Sequence, residues 1–248
     1  MMMSKLKYFY KSYILFFFFS ISHGQKYDEF STKQLTGQSD IHITKNENFQ
    51  LLPEVAESFK LMKKAALNNG INIKVVSSFR SFTRQKQIWN NKFIKNDSIG
   101  YSVKKNIKKI MEYSTIPGTS RHHWGTDIDI IDGNISPKGD VLLTEKFYGN
   151  GPYVKLEKWL GENSEKFGFY LVYTNDNERN GFKYEPWHYS YAPLSKEFLV
   201  KFIEIDLKKM LNENKILGSE YMSDKFLASY IKNFILGINP KLKSGFNE

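Results

Sequence analysis

The chain has 248 residues and no cysteine. That absence excludes a disulfide framework, cysteine-held zinc, an iron–sulfur cluster and a thiolate nucleophile. Any transition metal must therefore sit on His, Asp and Glu. Histidine is scarce too, at five residues, so few positions compete for that role. No internal repeat is present, which excludes a solenoid. Against these absences stand 36 basic and 26 acidic residues, a formal net charge of +10. A bias of that size suggests a polyanionic partner or surface without saying which. Hydrophobic residues at 41% and charged residues at 25% describe a globular chain. Its length suits one domain with additions and a real core.

The first residues read as an address. Lys5, Lys7 and Lys11 form a basic start with no acid near them. Tyr13 to Ile21 is an apolar run, and Ser22 and Gly24 offer a small-residue cleavage site before Gln25. This is the three-part pattern of a secretory signal peptide over residues 1–24, with an uncleaved anchor as the alternative. The run is short for a bilayer span. No cysteine follows it, so a lipoprotein anchor is excluded. The expectation is export to the periplasm or cell envelope, or secretion. Cleavage removes three of the ten positive charges, which leaves an ordinary bias.

Residues 25–51 are polar and mixed and read as an irregular lead-in. Pro53 opens a helix where its missing N–H costs nothing. Val55, Phe59, Met62 and Ala66 recur on one face, and Asn69-Gly70 ends it. Ile71, Ile73 and Val75 alternate as a strand. Ser77 to Phe82 is a turn carrying Arg80, and Thr83 starts a second helix. A short helix follows at 102–112. Thr126–Ile131, Phe169–Tyr173 and Trp187–Tyr191 read as strands, with a helix from Val154 to Phe167. Two amphipathic helices near 195–213 and 223–236 form a C-terminal extension over 195–248, leaving 52–194 as the main domain. Helices and short strands mix without a βαβ rhythm. That predicts an α+β fold, a small antiparallel sheet with flanking helices.

Past the signal, only His42, His122, His123 and His188 remain. Two lie in Ser120-Arg121-His122-His123-Trp124-Gly125-Thr126-Asp127-Ile128-Asp129, and one in Glu185-Pro186-Trp187-His188-Tyr189. Histidine with carboxylate is the cysteine-free way to hold zinc, and a catalytic zinc takes three protein ligands and leaves one position open. On a strand, Asp127 and Asp129 share one face while Ile128 and Ile130 share the other. Gly125 permits a turn that brings His122 back over Asp129. His188 approaches from a separate strand. Pro186 places Glu185 in a turn, which can aim its carboxylate at a metal-bound water.

Ser120-x-His122-x-x-Gly125-x-x-x-Asp129 followed by Glu185-x-x-His188 resembles the VanY-type D-alanyl-D-alanine carboxypeptidases. These zinc peptidases share a fold with the Hedgehog signalling domain. Ser78-Phe79-Arg80-Ser81-Phe82-Thr83-Arg84-Gln85 is similar to the family's Arg-Ser…Gln segment. Trp159-Leu160 with Asn163, then Phe167-Gly168-Phe169, is similar to its helix-to-strand segment. The matching motifs run in order from about residue 53 to 194. The resemblance implies a Hedgehog/DD-peptidase-like fold, with Zn2+ bound by His122, Asp129 and His188. It implies Glu185 as general base, Arg80 as oxyanion stabiliser and peptide contact, and Gln85 and Ser120 along the substrate pocket. The implied substrate is a peptidoglycan stem peptide ending in D-Ala-D-Ala. Asp127 departs from the small residue usual in the family. It can hydrogen-bond a ligand histidine, bind a cationic substrate group, or compete with Asp129 for the metal.

Several residues carry plainer readings. His42 and His123 read as packing or hydrogen-bonding histidines. Trp124 and Trp187 read equally as pocket wall or core. The lysines from Lys104 to Lys109 read as a solvated helix face. Three further functions stay open: an endopeptidase or D,D-dipeptidase on the same scaffold, a non-catalytic wall-binding module, and polyanion binding, for which no nucleic-acid motif is present.

Overall fold

A computed structural model describes residues 30–243, so the segment read as a signal peptide lies outside the described residues. From Ser31 onward the chain forms one unit. Its lead-in is more regular than the sequence pattern shows. It holds a single helical turn, α1 (Thr32–Leu35), and a two-stranded ribbon of β1 (Thr44–Lys45) and β2 (Gln50–Leu51). Elements of four and two residues are too short to carry a readable period.

Pro53 stands in the first turn of α2 (Pro53–Leu67) as expected, and Val55, Ala56, Phe59, Met62 and Ala66 form its buried stripe. The chain then enters β3 (Ile73–Ser77). Ser81 caps α3 (Phe82–Ser98) by accepting the Arg84 N–H, two residues earlier than the expected start at Thr83. Helix α4 (Val103–Met111) buries Ile107, Ile110 and Met111, while Lys104, Lys105, Lys108 and Lys109 are exposed. Strand β4 (Asp127–Asp132) is buried along its whole length. Helix α5 (Val154–Asn163) tightens into a 3-10 turn at Ser164–Phe167 before β5 (Phe169–Leu171), and β6 (His188–Tyr191) completes the sheet.

The four strands lie in the order β3-β4-β6-β5, every pair antiparallel. The register sets Asp129 opposite His188 and Asp127 opposite Ser190. Because side chains alternate along a strand, both pairs lie on one face of the sheet. The β3–β4 pairing slips between Val75 and Ser77, a bulge that brings Ser77 opposite Asp129.

The expected helix at 195–213 is two helices, α6 (Ala192–Ile203) and α7 (Leu207–Asn214). Asp206 breaks the run because its side chain accepts the Lys209 N–H at 2.9 Å and starts a new helix. Helix α8 (Asp224–Tyr230) continues into a π-helical turn at Ile231–Ile235. These C-terminal elements pack on the main domain. Phe198 and Phe202 meet Trp124 with ring centroids 6.4 and 5.8 Å apart. The Trp89 indole N–H donates to the Leu217 carbonyl at 2.9 Å. Among the described residues, no helix is long and apolar enough to cross a membrane.

Candidate active site

The site begins with a change of direction. Arg121–Trp124 forms one 3-10 turn, and Gly125 follows at φ +70°. That left-handed conformation demands glycine, because a residue with a side chain is strained there whatever the space around it. The turn delivers the chain into β4 and stands His122 beside Asp129, with Nε2 3.3 Å from Oδ2. Strand pairing brings His188 in from β6, and the two imidazole rings stack at 4.7 Å. One ligand atom from each of His122, Asp129 and His188 lies within 4.8 Å of the others, and all three residues are buried.

Both histidines are anchored by the nitrogen that faces away from this cluster. His122 Nδ1 is 2.8 Å from the Ser78 carbonyl, which can only accept. His188 Nε2 is 3.0 Å from Asp127 Oδ2. His188 Nδ1 faces inward, 3.9 Å from Asp129 Oδ1 and 3.0 Å from Glu185 Oε2. Asp129 Oδ1 is buried and takes no hydrogen bond among the described residues. A buried carboxylate oxygen left without a donor, facing two imidazoles tied from behind, is the arrangement that a divalent metal completes. Two histidines and one carboxylate suit a catalytic zinc with an open fourth position. The charges agree. Burial opposes ionisation of Asp129, but His122 and His188 hold its carboxyl below the usual range. Burial also opposes protonation of His188, yet its hydrogen bonds to Asp127 and Glu185 push it up to about 10.

Glu185 lies in the turn that Pro186 announces, closed by the His188 N–H donating to the Glu185 carbonyl at 3.1 Å. A cavity of about 570 Å3 opens over the cluster and is bordered by Arg80, Ser120, Glu185 and Trp187 as well as the three metal-site residues. Arg80 donates from Nη2 to Ser77 Oγ at 3.0 Å and from Nη1 to Gln85 Oε1 at 3.1 Å. Its Nη2 stands 3.9 Å from Asp129 Oδ2. Ser120 borders the cavity as the motif implies. Gln85 does not. It is 1% exposed and sits behind Arg80, giving its own amide N–H to the Thr115 carbonyl at 2.8 Å. On α3 a solvated position and a buried one are a few residues apart, and the motif alone does not say which way Gln85 turns.

His123 is fully buried, with Nδ1 2.5 Å from the Arg80 carbonyl and Nε2 accepting the Gly118 N–H at 3.2 Å. Burial pushes it down to about 3. His42 packs edge-on against Phe79, and burial pushes it down to about 4. Trp124 belongs to the core, whereas Trp187 borders the cavity and packs on Phe147. Asp127 is wholly buried and bonded to His188, not aimed at the cavity.

Arg121, Ser190 and Tyr173 were not singled out from the sequence. Arg121 is buried and donates from Nε to Asp127 Oδ2 at 3.0 Å. The Tyr173 ring meets His188 edge-on at 5.2 Å and borders the cavity. An arginine beside a ligand histidine and an acid two residues before a ligand aspartate were the available signal for the Arg121–Asp127 pair.

Known proteins share this arrangement of sequence and fold. In Haemophilus influenzae an uncharacterized protein is 35% identical over 107 residues, 42% of this chain and 82% of that one. A D-alanyl-D-alanine carboxypeptidase of Enterococcus faecalis is 28% identical over 152 residues, 61% of this chain. The match spans 52% of that enzyme, about half its length. The solved structure of VanYB in complex with D-alanine-D-alanine aligns with a TM-score of 0.50 at 24% identity, covering 76% of this chain and 91% of that one. A VanY D,D-pentapeptidase mutant solved with Zn(II) aligns equally, with a TM-score of 0.50 at 22% identity over 75% of this chain and 92% of that one. These likenesses show the fold. The sequence family VanY, D-alanyl-D-alanine carboxypeptidase, matches residues 48–194, more than half of the chain and the whole of the site. The chain belongs to the VanY family of D-alanyl-D-alanine carboxypeptidases.

Proposed function

We propose that this protein is an exported zinc carboxypeptidase that removes the terminal D-alanine from peptidoglycan stem peptides ending in D-Ala-D-Ala. The observation that carries the reading is the His122–Asp129–His188 donor group, set under a cavity that Glu185 and Arg80 border. A non-catalytic wall-binding module has no use for a tied metal cradle beside a carboxylate and a clamped guanidinium at the mouth of a cavity.

His122 Nε2, Asp129 and His188 Nδ1 would hold the zinc. Bound there, zinc supplies Lewis acidity and lowers the pKa of a coordinated water to about 7. Glu185 accepts the proton of the attacking water and later returns it to the departing amine. Its carboxylate is close to the donor group and only partly buried, and it borders the cavity. Arg80 is held by Ser77 and Gln85 and faces the cavity with a charge that the scissile carbonyl meets as it becomes an oxyanion. A fixed donor of this kind costs no reorganisation at the moment of reaction. Trp187 and Tyr173 supply apolar walls that limit water beside it.

One digestion tests the proposal. The zinc-loaded protein is incubated with purified muropeptides ending in D-Ala-D-Ala, and products are followed by mass spectrometry. Loss of a single alanine is the expected result. Release of a dipeptide or an internal cut makes the enzyme a dipeptidase or an endopeptidase on the same scaffold. No cleavage with zinc bound overturns the enzymatic reading.

A further inference from the structure

The ligand pair Asp129–His188 has a second pair behind it on the same sheet face. Asp127 is opposite Ser190 in the strand register, two residues before one ligand and two after the other. Arg121, the neighbour of ligand His122, reaches over both. Its Nε donates to Asp127 Oδ2 at 3.0 Å, and its Nη2 donates to Ser190 Oγ at 2.7 Å. Ser190 passes its own hydroxyl hydrogen to Asp127 Oδ1 at 2.7 Å, and Thr126 Oγ1 donates to the same oxygen at 2.7 Å. The guanidinium also lies over the Trp124 ring at 4.6 Å. Asp127, Ser190 and Arg121 are all buried, at 0%, 0% and 5% exposure.

The count of donors decides what His188 can do. A carboxylate accepts about four hydrogen bonds and donates none. Asp127 takes three from Arg121, Ser190 and Thr126, and the fourth position faces His188 Nε2 at 3.0 Å. That nitrogen must therefore carry its hydrogen. A neutral imidazole has one N–H, so the lone pair falls on Nδ1, the nitrogen that faces Asp129. Arg121 makes the buried group neutral overall, which lets the carboxylate remain charged without water.

We infer that Arg121, Asp127 and Ser190 act together as positioning residues, holding His188 in its Nε2–H tautomer and selecting Nδ1 as the nitrogen that binds the metal. The inference rests on the metal site proposed above, not on the identity of the peptide substrate.

Two variants and one spectrum test it. Asp127→Ala leaves Arg121 charged and unpaired, so both zinc affinity and melting temperature fall; the affinity loss expected for a lost ligand anchor is about 10–100-fold. The double variant Arg121→Met/Asp127→Ala removes the stranded charge. Its melting temperature returns toward wild type while its zinc affinity stays low. A purely structural role would restore both together, so a double variant binding zinc within twofold of wild type overturns the inference. Should these variants fail to fold, the 15N spectrum of the zinc-loaded wild type decides: His188 carries a slowly exchanging Nε2–H, and a proton on Nδ1 instead overturns it. Zinc affinity is read without any peptide, so absent turnover with intact zinc binding refutes the peptidase reading alone. A wild type that binds no zinc refutes both.

Discussion

Gln85 holds Arg80 from behind: Arg80 Nη1 donates to Gln85 Oε1 at 3.1 Å, and Gln85 hands its own N–H to the Thr115 carbonyl at 2.8 Å. The side chain that the family motif pairs with Arg80 is thus a brace on the guanidinium. Gln85→Ala removes one of its two fixed contacts and leaves Ser77 as the other. A misplaced donor costs up to about a hundredfold in rate. The expected result is a kcat lower by about 10- to 100-fold with a smaller change in KM. The stranded carbonyl of Thr115 adds a stability loss of about 1–3 kcal/mol. Steady-state kinetics equal to wild type would show that Ser77 alone fixes Arg80.

Glu185 carries a different burden. Its carboxylate lies 3.0 Å from His188 Nδ1 and borders the cavity. Glu185→Gln keeps shape and loses the base. Turnover is expected to fall by about 10²–10⁴-fold, with zinc content unchanged because Glu185 is outside the ligand set. Metal analysis beside the rate measurement separates the two effects. Wild-type turnover in this variant would refute the role of Glu185.

Zinc should also stabilise the fold. The three ligands come from the 121–124 turn, β4 and β6, so one ion joins segments far apart in sequence. A ligand at one hundred times its dissociation constant adds about 2.7 kcal/mol to stability. For a domain of this size that corresponds to a rise in melting temperature of about 5–10 °C. A chelator is expected to lower the melting temperature by that amount and added zinc to restore it. His188→Ala is expected to gain no melting temperature on addition of zinc.

Much of this was legible in the sequence. The strand at Thr126–Ile131 reads from alternation, because Asp127 and Asp129 take one face and Ile128 and Ile130 the other. Gly125 was readable because only glycine tolerates its turn, and Pro186 fixed the turn that holds Glu185. What stayed hidden depends on contacts distant in sequence. Arg121 meets Ser190 across 69 positions, and no local period encodes that meeting. The motif implies a pocket position for Gln85, whereas its bond to Thr115, 30 residues away, turns it behind Arg80. The two C-terminal helices, read as 195–213 and 223–236, show their stripes plainly, but the break before α7 depends on Asp206 preferring a cap to a helix interior.

His123 gives the fold a dependence on pH that is separate from catalysis. Both its nitrogens are committed: Nδ1 to the Arg80 carbonyl and Nε2 to the Gly118 N–H. Protonation would place a second hydrogen against the Gly118 N–H and a charge in a fully buried site. Burial accordingly pushes the group down to about 3, against about 6.5 for a histidine in the unfolded chain. The unfolded chain therefore binds the extra proton first as pH falls. Stability owed to neutral His123 is complete above pH 6.5, is lost progressively as pH drops from 6.5 to about 3, and changes no further below that. The loss over that window is of order 5 kcal/mol at the limit. His123→Gln keeps an amide donor and acceptor but cannot titrate. It is expected to be less stable than wild type at pH 8 and to lose less stability on acidification to pH 4. Urea melts of the chelated proteins at both pH values make the comparison. Parallel losses in the two proteins would place the acid sensitivity elsewhere, in Asp127 and Asp129, whose carboxyls are also held below their usual range and are also destabilising when protonated.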